Sequence, residues 1–446
     1  MSELIKGDSL IELAKLKDNS VDLIVTDPPY GYSFMGKEWD KALPDKRIWK
    51  ECLRVLKHGG FAYVMSAPRQ DVLSRMMIDL EGVGFNISFT SMYWAYASGF
   101  PKAMNISKAV DKKLGVKPDS LGIVKGMGKQ NSNWNGKGVG GRKEDYFKPE
   151  YNKVKATSKQ AKELDGSYAG FQPKPAVEVI IVCMKPLSEK GYIEQAMKNK
   201  KGMSWFGDCR IPYIDEKDLG SATFGNNSGL LNKDKNDYGD FSMYKYKEKI
   251  KANPQGRFPA NLIVSDNAVD TGNITGDNRI HLRKGKYKSS NFATPHADIS
   301  REDSGDFSRY FDIDKWYESQ FIITPKASKS EKNKGLEGFK EKSVNRIRQN
   351  KTNPENSLKT GSGKIRDVMM ANNHPTVKPL KLMSYLITLG SRKGDIVLDP
   401  FMGSGTTPLA SKNLNREYIG IEINDEYFEI CCARVENNQG LDEFTQ

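Results

Sequence analysis

Thr26 to Tyr30, TDPPY, close the apolar run VDLIV. Proline cannot donate to a sheet ladder, so Pro28 and Pro29 end the strand and leave Asp27 where the chain departs from its sheet. A carboxylate so placed can accept hydrogen bonds from a ligand, and Tyr30 adds an aromatic face. Asp-Pro also opens ordinary turns, so the stretch alone leaves both readings open.

A second stretch, LDPFMGSGTT (398–407), has the same grammar. A strand ends at Asp399, and a glycine-rich turn then opens a helix. Gly403 and Gly405 let a ligand approach the backbone, while Ser404, Thr406 and Thr407 can cap the helix or bond the ligand. The turn is no P-loop, because no lysine follows its glycines, and it is not GxGxxG. The next strand, EYIGIEIN, ends near Glu422, where an acid suits the two hydroxyls of a ribose. Together these features point to an adenosine-bearing ligand, with Asp8, at another strand end, placed for the adenine ring. The alternative is that each residue merely caps a strand. Open α/β sheets, however, bind ligands beyond the carboxyl ends of their strands.

The elements that must position these residues alternate. ELIKGD reads as a strand, SLIELAKLKD as a helix and VDLIVT as a strand. RIWKECLRVLKHGG follows as a helix closed by Gly59 and Gly60, then FAYVMS as a strand, RQDVLSRMMIDLEGVG as a helix and FNISFTSMYWAY as a strand region. Near the C-terminus LKLMSYLITLG is helical, DIVLDPF a strand, GSGTTPLASKNLN a turn and helix, EYIGIEIN a strand and DEYFEICCARVEN a helix. The alternation predicts a doubly wound α/β sheet. AVEVIIVCMKP (176–186) is too apolar for a linker and is assigned to the same sheet. RFPANLIVSD (257–266) and SQFIITPKAS (319–328) read as further buried pieces, and residues 125–143 as a mobile loop.

The 446-residue chain carries 69 Lys and Arg against 56 Asp and Glu, a net charge of +13, which favours a polyanionic partner such as nucleic acid; a basic surface with no specific partner is the alternative that charge alone leaves open. No stretch approaches the ~20 apolar residues needed to span a bilayer, and the N-terminus lacks a signal-peptide layout. The five cysteines (Cys52, Cys183, Cys209, Cys431, Cys432) and four histidines show no metal spacing. A reducing cytoplasm and no metal site are expected.

DPPY, the FxGSGTT turn, the IGIEIN strand and HPTVKP (374–379) resemble the S-adenosyl-L-methionine-dependent DNA amino-methyltransferases. DPPY comes first and the cofactor turn last, as in the permuted beta group. SGFPKAMNISKAVDK, GRFPANLI and ITPKAS resemble segments of phage-type members. The resemblance implies a circularly permuted, mixed seven-stranded Rossmann-like sheet in which the first strand lies beside one near the end of the chain. It implies a catalytic domain from residues 1–100, 170–186 and 374–446, a flexible insertion at 101–169 and a target-recognition region at 187–373. Asp8, Lys378, Asp399, Phe401, Gly403, Ser404, Gly405, Thr406, Thr407 and Glu422 would surround the cofactor, with Lys378 at its methionine carboxylate. His374 would lie near the cofactor or be an ordinary loop histidine.

The catalytic residues implied are Asp27, Pro28, Pro29 and Tyr30. Asp27 would accept one N–H of an exocyclic amine and the Pro28 carbonyl the other, localising the lone pair toward the methyl donor. Tyr30 would stack on a base flipped out of double-stranded DNA, a contact worth about 1–3 kcal/mol. Asp before PPY leans toward adenine N6, Ser toward cytosine N4. No cysteine follows a proline, unlike the nucleophile of cytosine C5 enzymes. DNA contact is expected from the middle region, where 326–351 carries nine basic and three acidic residues, and MYKYKEKIK (243–251) and RKGKYK (283–288) mix lysine with aromatics. A homodimer, common in the beta group, is a further expectation. The competing readings are an N4-cytosine enzyme, a catalytically silent DNA-binding relative, or methylation of RNA or of a protein glutamine.

Overall fold

The computed structural model describes residues 2–31, 40–96, 103–116, 119–125, 150–213 except 172, 174 and 175, 252–264, 369–372, 374 and 376–437, with isolated positions between 216 and 343. The chain divides into two units, Met1–Ser98 with Ala176–Phe339 and His374–Gln446, and Gly99–Pro175 with Lys340–Asn373.

In the first unit, strands β1 (Glu3–Lys6), β2 (Val21–Thr26), β3 (Leu56–Ser66), β4 (Met92–Ala95), β7 (Val177–Met184), β8 (Leu262–Val264), β11 (Ile396–Asp399) and β12 (Glu417–Glu422) form one sheet. Their order is β1-β12-β11-β2-β3-β7-β4-β8. β7 alone runs antiparallel to its neighbours, and the other strands share one direction. β1 lies against β12, with Glu3 opposite Ile419, as the permuted order requires. The sheet has eight strands rather than seven, because Leu262–Val264 adds an edge beside β4.

β2 is buried along its whole length because helices cover both faces. Ile24 packs among Leu13, Trp49, Cys52 and Val55, from α1 (Ser9–Ala14) and α2 (Lys46–Val55), with Met76 and Leu80 of α3 (Gln70–Gly82) in the same cluster. Leu23 and Val25 belong to the opposite cluster, with Leu382, Tyr385, Leu386 and Leu389 of α7 (Leu380–Gly390). Each such side chain contributes about 1.5–3 kcal/mol on burial. α8 (Thr406–Asn413) and α9 (Asp425–Glu436) complete the unit with α6 (Tyr192–Asn199).

At the amino ends of β2 and β11 a charge cluster acts as a brace. Lys201 Nζ lies 2.9 Å from both Asp22 and Asp395, and Lys57 Nζ lies 2.7 Å from Asp22. Asp22 also accepts Ile396 N–H at 2.9 Å. The carboxyl ends of the same strands are left to the residues singled out in the sequence.

Several expectations change. Gly59 and Gly60 do not close a helix. α2 ends at Val55, and LKHGGFAYVMS is a single strand whose glycines sit where the register with β2 shifts between Val21–Leu56 and Leu23–Phe61. A positive φ of 76° at Gly59 serves that bulge rather than a helix end. The strand within FNISFTSMYWAY is only Met92–Ala95. Beyond residue 186, α6, a 3-10 turn at Phe206–Cys209 and β8 belong to the same unit as the sheet.

The second unit contains α4 (Ile106–Lys113), α5 (Lys159–Glu163), the antiparallel pair β5 (Asp119–Lys125) and β6 (Glu150–Lys155), and the pair β9 (Lys342–Ser343) and β10 (Met369–Met370). Thus 101–169, expected as a flexible insertion, carries regular elements. Of the loop 125–143 only Lys125 is described, as the last residue of β5; the pieces at 319–328, 243–251 and 283–288, and all but a few residues of 326–351, lie outside the described residues. No described helix is long and apolar enough to cross a membrane.

Candidate active site

Strand direction gathers the chemistry. β2 and β11 are neighbours, and the chain leaves β2 toward β3 on one side and β11 toward β12 on the other. Their carboxyl ends therefore flank the switch point at which an open sheet leaves a crevice. Asp27 follows β2, Asp399 ends β11, Glu422 ends β12 and Asp8 follows β1. β7 runs the other way, so its beginning, Glu178, reaches the same edge.

Asp27 is held from two sides. Tyr30 Oη donates to Asp27 Oδ1 at 2.6 Å, and Lys378 Nζ donates to Asp27 Oδ2 at 2.5 Å. Lys378 also lies 3.3 Å from Glu178 Oε2 and 5.8 Å from the centre of the Tyr30 ring. Burial would lower the ammonium's pKa, but the carboxylates of Asp27 and Glu178 carry it above the usual lysine range. Burial, partly offset by Lys378, pushes Glu178 up. Pro28 is buried, and Tyr30 N–H and Gly31 N–H both donate to the buried Asp40, at 2.7 and 3.0 Å, which pins the backbone after the prolines.

The glycine turn is strapped to the sheet. Asp399 Oδ1 accepts Thr26 Oγ1–H at 2.7 Å and Phe401 N–H at 3.0 Å, and burial pushes its carboxyl up to about 6. Gly403 N–H donates to Glu422 Oε2 at 2.9 Å, and Asn424 N–H to Glu422 Oε1 at 2.7 Å; burial still leaves Glu422 above its ordinary value. Gly405 adopts φ +82°, and a Cβ there would meet Cys431 Sγ at 2.2 Å. Arg434 of α9, buried, donates to Ser404 O at 2.6 Å and to its hydroxyl at 3.2 Å. Thr407 Oγ1 reaches Val25 O at 3.4 Å, and Thr406 is buried beside it.

The sequence-derived residues thus meet at one edge, with differences in how they are used. Lys378, expected at a cofactor carboxylate, is engaged by Asp27 and Glu178. Ser404 and Thr407 bond inward. Asp8 is exposed and caps α1 by accepting Leu10 N–H at 2.8 Å. Phe401 meets the edge of Trp49, with centroids 5.8 Å apart. His374 packs against Gly403 and against the Tyr427 ring, 4.4 Å away. Glu178, Asp40 and Arg434 were missed. Glu178 alone left a signal, as the one charge in the apolar strand VEVIIVCM.

A match to the DNA methylase family model extends over residues 21–432. The chain belongs to this N6/N4 DNA methylase family. Local identity is highest in short stretches. The chain is 47% identical over 74 residues to the type II methyltransferase M.HpaI of Haemophilus parainfluenzae, covering 16% of this chain and 24% of that protein. It is 38% identical over 109 residues to M.HinfI of Haemophilus influenzae, covering 24% and 30%. The matched stretches span less than a third of those relatives. Among solved structures, the cytosine-N4-specific PvuII DNA methyltransferase aligns over 99% of this chain and 89% of its own at 14% identity and a TM-score of 0.40. M1.HpyAVI with S-adenosylmethionine aligns over 97% and 100%, at 14% identity and 0.33.

S-adenosylmethionine is the cofactor of this methylase family, and the crevice fits it chemically. In a chain of net charge +13, carboxylates of Asp8, Asp27, Glu178, Asp399 and Glu422 gather at this edge, which suits a sulfonium cation. Each oxygen of Glu422 accepts one backbone N–H and keeps a lone pair for a hydroxyl. Among the described residues no cluster of side chains suits a metal ion.

Proposed function

We propose that this methylase transfers a methyl group to the N6 amine of adenine in double-stranded DNA, on a base flipped out of the duplex. The observation that carries the reading is the fixed Asp27 carboxylate at the switch point, one strand from the glycine turn.

S-adenosylmethionine, when bound, supplies a methyl group already activated by its positive sulfur. Glu422 and the backbone of Gly403 to Gly405 would hold the cofactor, with Asp8 available to its adenine. An exocyclic amine is a poor nucleophile because its lone pair is delocalised into the ring. Asp27 accepts one amine N–H and the Pro28 carbonyl the other, which turns the lone pair out of conjugation. As the N–C bond forms, the sulfonium S–C bond breaks with its electron pair left on sulfur, and the amine's proton goes to the Asp27 carboxylate, the base already bonded to it. Pro28 and Pro29 keep carbonyl and carboxylate in fixed relation, while the Tyr30 ring, anchored by its hydroxyl, supplies a stacking face.

The acid at the head of the PPY motif favours adenine. Mass spectrometry of nucleosides from plasmid DNA treated with the protein tests this: N6-methyladenine is expected, and N4-methylcytosine alone would overturn it. DNA binding without any methylated base would point to a silent relative.

A further inference from the structure

Glu178 is the second residue of β7 in a strand otherwise reading Val, Ile, Cys and Met, and stands in register with Trp94 of β4. Its Oε2 atom is sealed from solvent and lies 3.3 Å from Lys378 Nζ. The ammonium thus stands between two carboxylates and makes its shorter contact, 2.5 Å, with Asp27. A buried ion pair is a poor source of stability, because desolvation offsets the attraction, and an apolar side chain would suit β7 as well. A carboxylate retained at the crevice calls for a different account.

We propose that Glu178 is a positioning residue for methyl transfer, acting through Lys378 to fix the Asp27 carboxylate toward the target amine. The inference rests on the proposed role of Asp27. Lys378 alone could swing on its flexible stem with either Asp27 oxygen. Glu178 holds the ammonium from the far side on Oδ2, while Oδ1 is held by the Tyr30 hydroxyl. The groups facing Glu178 are Lys378 from the segment before α7, Asp27 and Tyr30 after β2, and Tyr96 at the end of β4. Burial holds its carboxyl above the ordinary glutamate range, so its protonation as pH falls should release Lys378 and slow transfer.

The test uses the full chain, tritiated S-adenosylmethionine and unmethylated plasmid DNA, with single-turnover rates from pH 4.5 to 9. Glu178→Gln is expected to lower the rate about tenfold or more at neutral pH, with cofactor KM within threefold, and to shift the acid limb of the wild-type profile. In Lys378→Met the further change Glu178→Gln should cost nothing more. Wild-type rate and limb in folded Glu178→Gln would overturn the inference, as would a double variant slowed by the full product of both effects. If Glu178→Gln does not fold, Glu178→Asp takes its place: a lowered rate at unchanged KM supports the inference, and wild-type turnover overturns it. A wild-type protein that methylates no DNA would refute the proposed function instead.

Discussion

Thr26 Oγ1 donates to Asp399 Oδ1 across 2.7 Å, joining the last residues of two adjacent strands that lie 373 positions apart in the chain. Both residues are buried. The bond sets the spacing between the DPPY end of β2 and the glycine turn after β11, and so between the two halves of the site.

Asp399 carries a pH dependence through this bond. Its carboxyl is pushed up to about 6 in the fold from 3.8, so the folded protein holds the proton more tightly than the unfolded chain. Its stabilising contribution is complete below about pH 4 and is lost as pH rises through 6. Asn at this position keeps an oxygen for Thr26 and for Phe401 N–H without the charge. The stability of Asp399→Asn relative to wild type should therefore rise between pH 4 and 6, by roughly 1–3 kcal/mol, in thermal unfolding without cofactor. A difference that does not change with pH would contradict this.

Gly405→Ala should be severe. Its φ of +82° costs a residue with a Cβ about 1–2 kcal/mol, and the new methyl would meet Cys431 Sγ at 2.2 Å. Overpacking adds roughly 1–3 kcal/mol. Adding Cys431→Ala should recover part of the steric cost, since the Cβ that remains stands 3.0 Å from the new methyl, and leave the backbone part, as read from denaturant midpoints.

Arg434 supports the turn from beneath, through the carbonyl and hydroxyl of Ser404. Arg434→Met should leave that carbonyl without its buried donor, at about 1–3 kcal/mol. Cofactor affinity should fall roughly tenfold, while DNA binding by filter retention stays within twofold.

The sequence showed both motifs because proline and glycine mark strand ends locally, and the all-buried β2 reads as an apolar run. It misled at Gly59–Gly60, where the same glycine that ends a helix also makes a bulge, and only pairing with β2 separates the two. Leu262–Val264 is too short to announce an edge strand. Asp40, ten residues on from Tyr30, and Arg434, thirty on from Ser404, act on backbone atoms, which leave no side-chain pattern. The pairing of Lys378 with Asp27 and Glu178 was not legible, because these residues meet only through the permuted sheet.

The central claim is that Asp27 binds the reacting amine. Methyl transfer from labelled S-adenosylmethionine to plasmid DNA by wild type and Asp27→Ala, with cofactor affinity measured in parallel, tests it most directly. The variant should bind cofactor within about threefold of wild type and transfer methyl at least roughly 10²-fold more slowly. Turnover at the wild-type rate by Asp27→Ala would show that the acid is only a turn residue.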